Sequence, residues 1–449
     1  MANNPVVNMF KVKELRSRIF FTLLILAVFR LGTILTVPGI NASLLVEYFN
    51  DIVRNTSGKA AEGAFASYMD FFAGGAFEKF SVFMLGVMPY ISTQIILQLA
   101  LIIFPSLKRI VQEDGGQRKF AAWTRIGTIF VCLIQSAAVT VYANSIPGAI
   151  VLESNVAFRL LAMLTVTTGA MITVWLGDQI TAHGIGNGIS ILIFAGIVAR
   201  LPHAVMELIQ KVRSNEINAV AVIVVILMFF GIIALVVYEQ SGERKIPVHY
   251  AKRVVGRKMY GGQSTYIPFK INPSGVIPVI FASSFLTFPL QIVSSIGASK
   301  ASATWVSKLS YILQPTGITY NVLLVLLIIF FAYFYTQVTL NPTEIAKNIR
   351  ENGGSIPGIR TDKTEEYMQK VLNRLVLPGS IYLAAIAVLP TIIQIAFKFP
   401  QSIAMLIGGT SLLILVGVDL DTMSQVEALL KMHHSEGLVK KGKLRSRNL

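Results

Sequence analysis

The chain has 449 residues, 54% of them hydrophobic and only 14% charged, where a soluble domain carries about 25% charged residues. Its 39 Lys and Arg against 23 Asp and Glu leave a net charge of +16. Apolar runs of membrane-spanning length recur along the chain, which excludes a disordered protein, a nucleic-acid-binding domain and an ordinary cytosolic enzyme. A single cysteine, Cys132, leaves no intrachain disulfide or thiolate metal site to build. The residues ahead of the first run lack the apolar core of a cleavable signal. The chain reads as a polytopic integral membrane protein.

Crossing about 30 Å of hydrocarbon takes roughly 20 apolar residues as a helix. Long runs stand at 19–37, 80–104, 126–143, 160–176, 217–238, 275–293, 320–340 and 375–397, with shorter ones at 185–199 and 403–418. The total is ten. The runs are continuous rather than alternating, so helices are expected and a barrel is not. Pro89 and Pro278 are expected to kink the second and seventh spans.

Orientation follows the Lys and Arg residues. With the N-terminus inside, the inner segments hold 28 basic residues and the outer segments ten, Arg30 lying within the first span. Both termini are therefore expected in the cytoplasm. The outer segment 200–216 resists the trend, with three basic residues. Ten spans divide into two sets of five, and an odd number per half places the second half upside down, the arrangement of inverted repeats.

Two inner connections, 239–274 and 341–374, are long and basic. In the first, alternation over 245–250 and 264–271 reads as a strand pair, and Lys252, Arg253, Arg257 and Lys258 form a basic cluster. In the second, Ser355-Ile356-Pro357-Gly358-Ile359-Arg360 is a tight turn with a guanidinium at its exit. Such loops either fix topology against anionic lipid or dock a large anionic partner such as ribosomal RNA or an acidic protein surface. Their length favours docking; charge alone does not choose.

No span has a central Asp or Glu, the usual proton relay or cation ligand of a coupled transporter. The five histidines form no metal-ligand pattern, and neither Gly58-Lys59 nor Gly442-Lys443 continues into a nucleotide-binding loop. No cofactor, metal or catalytic constellation is expected, so any work is driven from outside.

Ahead of the second span, Phe71-Phe72-Ala73-Gly74-Gly75-Ala76 is small, aromatic and broken by glycine. It is either an interfacial cap or a re-entrant piece shielded by protein or a water-filled cavity. Val87, Ile91, Gln94 and Gln98 share one helical face, as do Ile280, Ser284, Thr287 and Gln291. Such stripes pack helices together, or they line a water-filled path narrowed by aliphatic side chains. Arg30 is expected to face the protein interior or to pair with backbone.

Five ordered motifs carry a family likeness: Gly86-Val87-Met88-Pro89-Tyr90-Ile91-Ser92, Gly184-Ile185-Gly186-Asn187-Gly188-Ile189-Ser190, Gly275-Val276-Ile277-Pro278, Pro357-Gly358-Ile359-Arg360 and Gly408-Gly409-Thr410-Ser411-Leu412-Leu413-Ile414. From about Arg18 to Leu430 the chain resembles the SecY/Sec61 alpha family, channel subunits of protein translocons, and bacterial SecY in particular. The resemblance implies an all-α polytopic membrane protein of ten transmembrane helices, in two five-helix halves related by inverted pseudo-symmetry around an hourglass pore. The halves would be 19–199 and 217–418, with an outer hinge loop at 200–216, a cytoplasmic N-terminal segment at 1–18 and a basic cytoplasmic tail at 419–449.

By the same resemblance, Val87, Ile91, Ile189, Ile193, Ile280 and Ile414 would form the pore ring; valine stands where relatives often have isoleucine. A plug over about 66–76 would include Phe71, Phe72, Ala73, Gly74 and Gly75. A lateral gate between spans 2–3 and 7–8 would use Ser92, Gln98, Gln135, Asn272 and Ser284. Arg257, Lys258 and Arg360 would contact the SecA ATPase or the ribosome, including its RNA. SecE and SecG would complete the channel in a bacterial plasma membrane, alongside anionic lipids. Its clients would be secretory and membrane proteins with signal sequences.

The residues themselves leave two competitors to a protein-conducting channel. A secondary transporter needs a compact charged site at mid-membrane, and a membrane enzyme needs clustered His, Asp or Glu at one depth. Neither is found in the sequence.

Overall fold

The computed structural model describes residues 12–47, 70, 73–144, 146, 148–151, 155–214, 217–250, 253–255, 258–260, 264–299, 312, 314, 317–397, 403–404 and 409–441. The helices are α1 Lys13–Gly32, α2 Met88–Ile103, α3 Pro105–Gln112, α4 Gly116–Asn144, α5 Asn155–His183, α6 Gly188–Arg213 and α7 Ala219–Ser241. After a set of short strands come α8 Ile277–Ser299, α9 Ile318–Thr339, α10 Pro342–Glu351, α11 Thr364–Phe397 and α12 Thr410–Lys441. Among the described residues seven helices are long and apolar enough to cross a membrane, and α2 with α3 makes an eighth if the bent pair is one span. The other two apolar runs lie on α8 and at the start of α12.

These helices keep large apolar side chains on their outer surface. On α7, Val220, Ile223, Leu227 and Phe230 are exposed while Val225, Ile232 and Val236 are buried. In water such a surface would be a liability; in lipid it is the solvated face, and helix contacts depend on packing and polar bonds.

Three details depart from the sequence expectation. Pro89 and Pro278 do not kink helix interiors: each is the second residue of its helix, where the missing N–H had no intrahelical partner to lose. The second span does not start as a helix at residue 80; residues 73–87 are turns, Phe80 has φ +48°, and α2 begins only at Met88. The pair α2–α3 then bends by 111° around Phe104, whose backbone is extended ahead of Pro105. Finally, most of the connection expected over 200–216 is helical, because α6 runs on to Arg213.

The chain falls into two compact units, one comprising Met1–Val205, Gln291–Ser307 and Gly417–Leu449, the other Met206–Leu290 and Lys308–Val416. In the first unit, α4 packs on α2 and α5, and α5 also packs on α1. In the second, α9 packs on α11, with Asn321 Oδ1 accepting from Thr391 Oγ1 at 3.1 Å. Aromatic edges join α8 to α9: the Phe281 ring lies 5.8 Å from Phe331 and 6.1 Å from Tyr335.

The second unit also carries the two long basic connections. β1 Glu243–Tyr250 pairs antiparallel with β4 Ser264–Lys270, as the alternation predicts, with Ile246 opposite Ile267. Between them, β2 Arg253–Val255 and β3 Lys258–Tyr260 form a two-stranded sheet. The sequence reading missed β5 Gly354–Ser355, which extends the first sheet from the other connection by pairing with His249 and Tyr250. Ile246, Val248 and Phe269 from the first connection share one core with Ile349 and Ile356 from the second and with Met368, Val371, Leu372 and Leu375 of α11. The two connections are one folded head.

Candidate functional site

The irregular segment 73–87 satisfies part of its backbone through the end of the first span. Val37 N–H donates to the Phe80 carbonyl at 3.0 Å, and Val82 N–H to the Leu35 carbonyl at 2.8 Å. Ser81 N–H closes on the Ala76 carbonyl at 2.9 Å. Within a bilayer, non-helical backbone survives only when protein or a water-filled cavity takes up its polar groups. Glycines let the neighbours close in. A Cβ on Gly169 would overlap the Val82 carbonyl oxygen, and one on Gly32 would overlap the Phe83 ring, which stacks on Phe29 at 6.0 Å.

The glycine pair sits in a seat made by α1 and α6. Arg30 Nη1 donates to the Gly74 carbonyl at 3.0 Å, so Arg30 pairs with backbone as expected. Gly74 has φ +65°, and a Cβ there would stand 2.7 Å from the Gly196 Cα on α6. One turn further along α6, the Arg200 guanidinium bonds the Asp70 carboxylate and lies 3.7 Å from Glu78 Oε2. Asp70 is 1% exposed, and its Oδ1 also accepts from Glu78 N–H at 2.8 Å.

Of the plug residues named from the sequence, Ala73, Gly74 and Gly75 lie in this seat, while Phe71 and Phe72 fall outside the described residues. The sequence reading did not single out Asp70, Glu78, Gly196 or Arg200 as site residues. The available signal was Arg200, a basic residue among those breaking the charge asymmetry of the outer segments.

The ring candidates divide between the units. Val87 and Ile91 are both 5% exposed, one turn apart, with Ile91 N–H donating to the Val87 carbonyl at 3.2 Å. On α6 Ile193 is buried and Ile189 half-buried, its Cγ1 3.0 Å from where a Cβ on Gly177 of α5 would stand. In the second unit Ile280 and Ile414 are both buried. Among the gate candidates, the Ser92 hydroxyl donates to the Met88 carbonyl at 3.1 Å, and half-buried Gln98 has no hydrogen-bond partner for its Oε1 among the described residues. Gln135 and Ser284 are buried. Asn272 is also buried, and its amide donates to the Gly275 carbonyl while accepting from the Ser274 hydroxyl, bracing the turn that launches α8.

The glycine motif at 184–188 is a structural clasp. Ile185 N–H donates to Thr22 Oγ1 of α1, Gly186 N–H to Gln425 Oε1 of α12, and Gly188 N–H to Thr181 Oγ1 of α5. Leu15, Ile185 and Val426 close a small core beside it.

On the head, Gly358 holds φ +77° in the turn ahead of Arg360. The Arg360 side chain is 82% exposed and only 3.9 Å from equally exposed Asp362, a pair of little net energy that leaves the guanidinium accessible. Lys258 begins β3, and Arg257 lies outside the described residues.

The fold is that of an all-α polytopic membrane protein with a non-helical segment packed ahead of its second span. The SecY family model matches residues 81–423. The protein translocase subunit SecY of Borreliella burgdorferi is 43% identical over 95% of both chains, and that of Thermotoga maritima 43% identical over 98% of both. A solved structure described as a protein conducting channel superposes with a TM-score of 0.63 at 17% identity, covering 92% of each chain. Canine Sec61, in a ribosome-channel complex from the endoplasmic reticulum, gives 0.56 at 16% identity, covering 95% of this chain and 97% of that one. The chain belongs to the SecY family. It is a multi-pass protein of the bacterial plasma membrane and a channel subunit of a protein translocase, not an enzyme.

Proposed function

We propose that this chain forms the pore through which unfolded secretory polypeptides cross the plasma membrane, releasing apolar segments sideways into lipid. The observation that carries this reading is the segment 73–87, non-helical ahead of an apolar span, bonded to the end of span 1 and seated against α6. It acts as part of a plug over about 66–76. Val87, Ile91, Ile189, Ile193, Ile280 and Ile414 form the ring, whose branched aliphatics part around a thread and close again without orphaning a polar group. Ser92, Gln98, Gln135, Asn272 and Ser284 line the lateral gate. A segment of about 20 apolar residues gains by leaving for lipid, while a polar one stays in the pore.

The halves 19–199 and 217–418 are inverted repeats hinged at 200–216, with both termini cytoplasmic, a reading supported by the 28 basic residues of the inner segments. SecE and SecG brace the channel. The head docks SecA or the ribosome through Arg257, Lys258 and Arg360; the ribosome-bound canine relative supports the second partner. Basic residues also meet anionic lipid headgroups.

The test is export into proteoliposomes holding this chain with SecE, supplied with SecA, ATP and a signal-bearing preprotein. Protease-protected product that requires both ATP and SecA is expected. Correct insertion and SecA binding without protected product would refute the reading in favour of a small-solute transporter.

A further inference from the structure

We propose that Arg200 is the positioning residue that latches the plug shut, and that the ion cluster Asp70–Arg200–Glu78 sets how readily the channel opens. The inference rests on the plug reading above.

The segment has two tethers of different kinds. From α1, Arg30 holds the Gly74 carbonyl through one hydrogen bond at 3.0 Å. From α6, Arg200 binds Asp70, approaches Glu78 at 3.7 Å, and lies 3.6 Å by its Nε from where a Cβ on Gly75 would stand. The cluster thus brackets the glycine pair, with Asp70 before it and Glu78 after it. Asp70 also fixes the loop internally: its carbonyl accepts from Gly75 N–H at 3.0 Å and its Oδ1 from Glu78 N–H at 2.8 Å. Asp70 thereby ties Gly75 and Glu78 together, and Arg200 is the cation that holds its carboxylate from a neighbouring helix.

Position and burial argue for a latch over a topology charge. Arg200 sits among the outer basic residues that defy the orientation rule. With only 17% of its side chain exposed, it faces two acids, which neutralise it locally. Charges drawn from water into a low-dielectric site bind strongly while paired, and removing one partner leaves an uncompensated buried charge. Lifting the segment off α6 separates Arg200 from both acids. The Gly74–Gly196 contact adds a close fit that only glycine allows, but apolar contact alone carries no comparable penalty for separation. A signal or partner that opens the channel must therefore supply the free energy of parting these charges, so the latch sets a threshold on which clients are admitted.

The test uses the full chain, reconstituted with its translocon partners in planar bilayers and proteoliposomes. Arg200→Met is expected to raise resting ion conductance by about tenfold or more, as breaking a buried pair should. Arg200→Lys, which keeps the charge, should stay within about threefold of the parent chain. Transport of a preprotein with a weakened signal should rise relative to one with an intact signal in Arg200→Met and not in Arg200→Lys, a ratio that a general loss of stability would not move. Glu78→Gln covers the event that Arg200→Met does not insert; it removes the more distant acid without orphaning Arg200 and should raise conductance by about threefold. Parent-level conductance and client ratio in Arg200→Met or Glu78→Gln, in liposomes where the parent chain transports, would overturn the latch alone. A parent chain that transports no polypeptide would overturn the plug reading with it.

Discussion

Phe269→Ala separates the head from the spans. Phe269 is 4% exposed on β4, in the core that joins Ile246 and Val248 to Ile349, Ile356 and Met368. Deleting a buried phenylalanine ring costs about 3–5 kcal/mol, transfer and residual cavity together. A small domain has about 5 kcal/mol or somewhat more to lose, so the head should open locally while the helices stay inserted. Hydrogen exchange with mass readout on the reconstituted chain is the assay. Amides of β1 and β4 should lose protection by about a hundredfold or more, consistent with that cost. Those of α9 and the membrane part of α11 should not change. Transport driven by SecA should fall, and resting conductance should not move. Unchanged protection in β1 and β4 would refute the assignment of Phe269 to a stabilising core. Loss that spread into α9 would refute the head as a separately stabilised layer.

Ile91→Ser should loosen the ring and raise resting conductance about tenfold, since a hydroxyl at a dry constriction invites water; single-channel recording at parent levels would count against Ile91 as a seal. Arg360→Glu, at an 82% exposed position, should leave thermal unfolding in detergent unchanged while reducing SecA-driven export about tenfold, measured by protected preprotein. Gly188→Ala drives a Cβ into the Gly177 carbonyl oxygen, so α6 must shift against α5; a cost of about 1–3 kcal/mol should appear as a lowered Tm.

The helices and the strand pair were legible because each obeys a local rule. Apolar length marks a span, as in α7, and alternation marks β1 and β4. What stayed hidden depends on contacts distant in sequence. β5 is only Gly354–Ser355, too short for any pattern, and exists because it lies beside His249 and Tyr250. The run from residue 80 looked like helix because Phe80–Val87 is apolar, yet the segment is turned by bonds to Leu35 and Val37 that composition does not encode. The prolines misled for a related reason: Pro89 and Pro278 lie inside apolar runs but at the first turns of helices. The ring residues follow from family likeness, since their spacing suits ordinary helix packing equally well, and the only sequence signal at Arg200 is a basic residue in a segment expected outside.

The shared core of the head also imposes an order on biosynthesis. β1 and β4 can pair once residue 270 has left the ribosome, but a two-stranded ribbon alone is marginal in water. Ile349, Ile356 and Met368 close its apolar face, and they are made only after α8 and α9. The apolar face of the ribbon therefore stays uncovered until residues beyond α9 have been made. A copy ending before α10 would keep Ile246, Val248 and Phe269 without the residues that bury them, an exposed apolar surface of the kind that promotes aggregation.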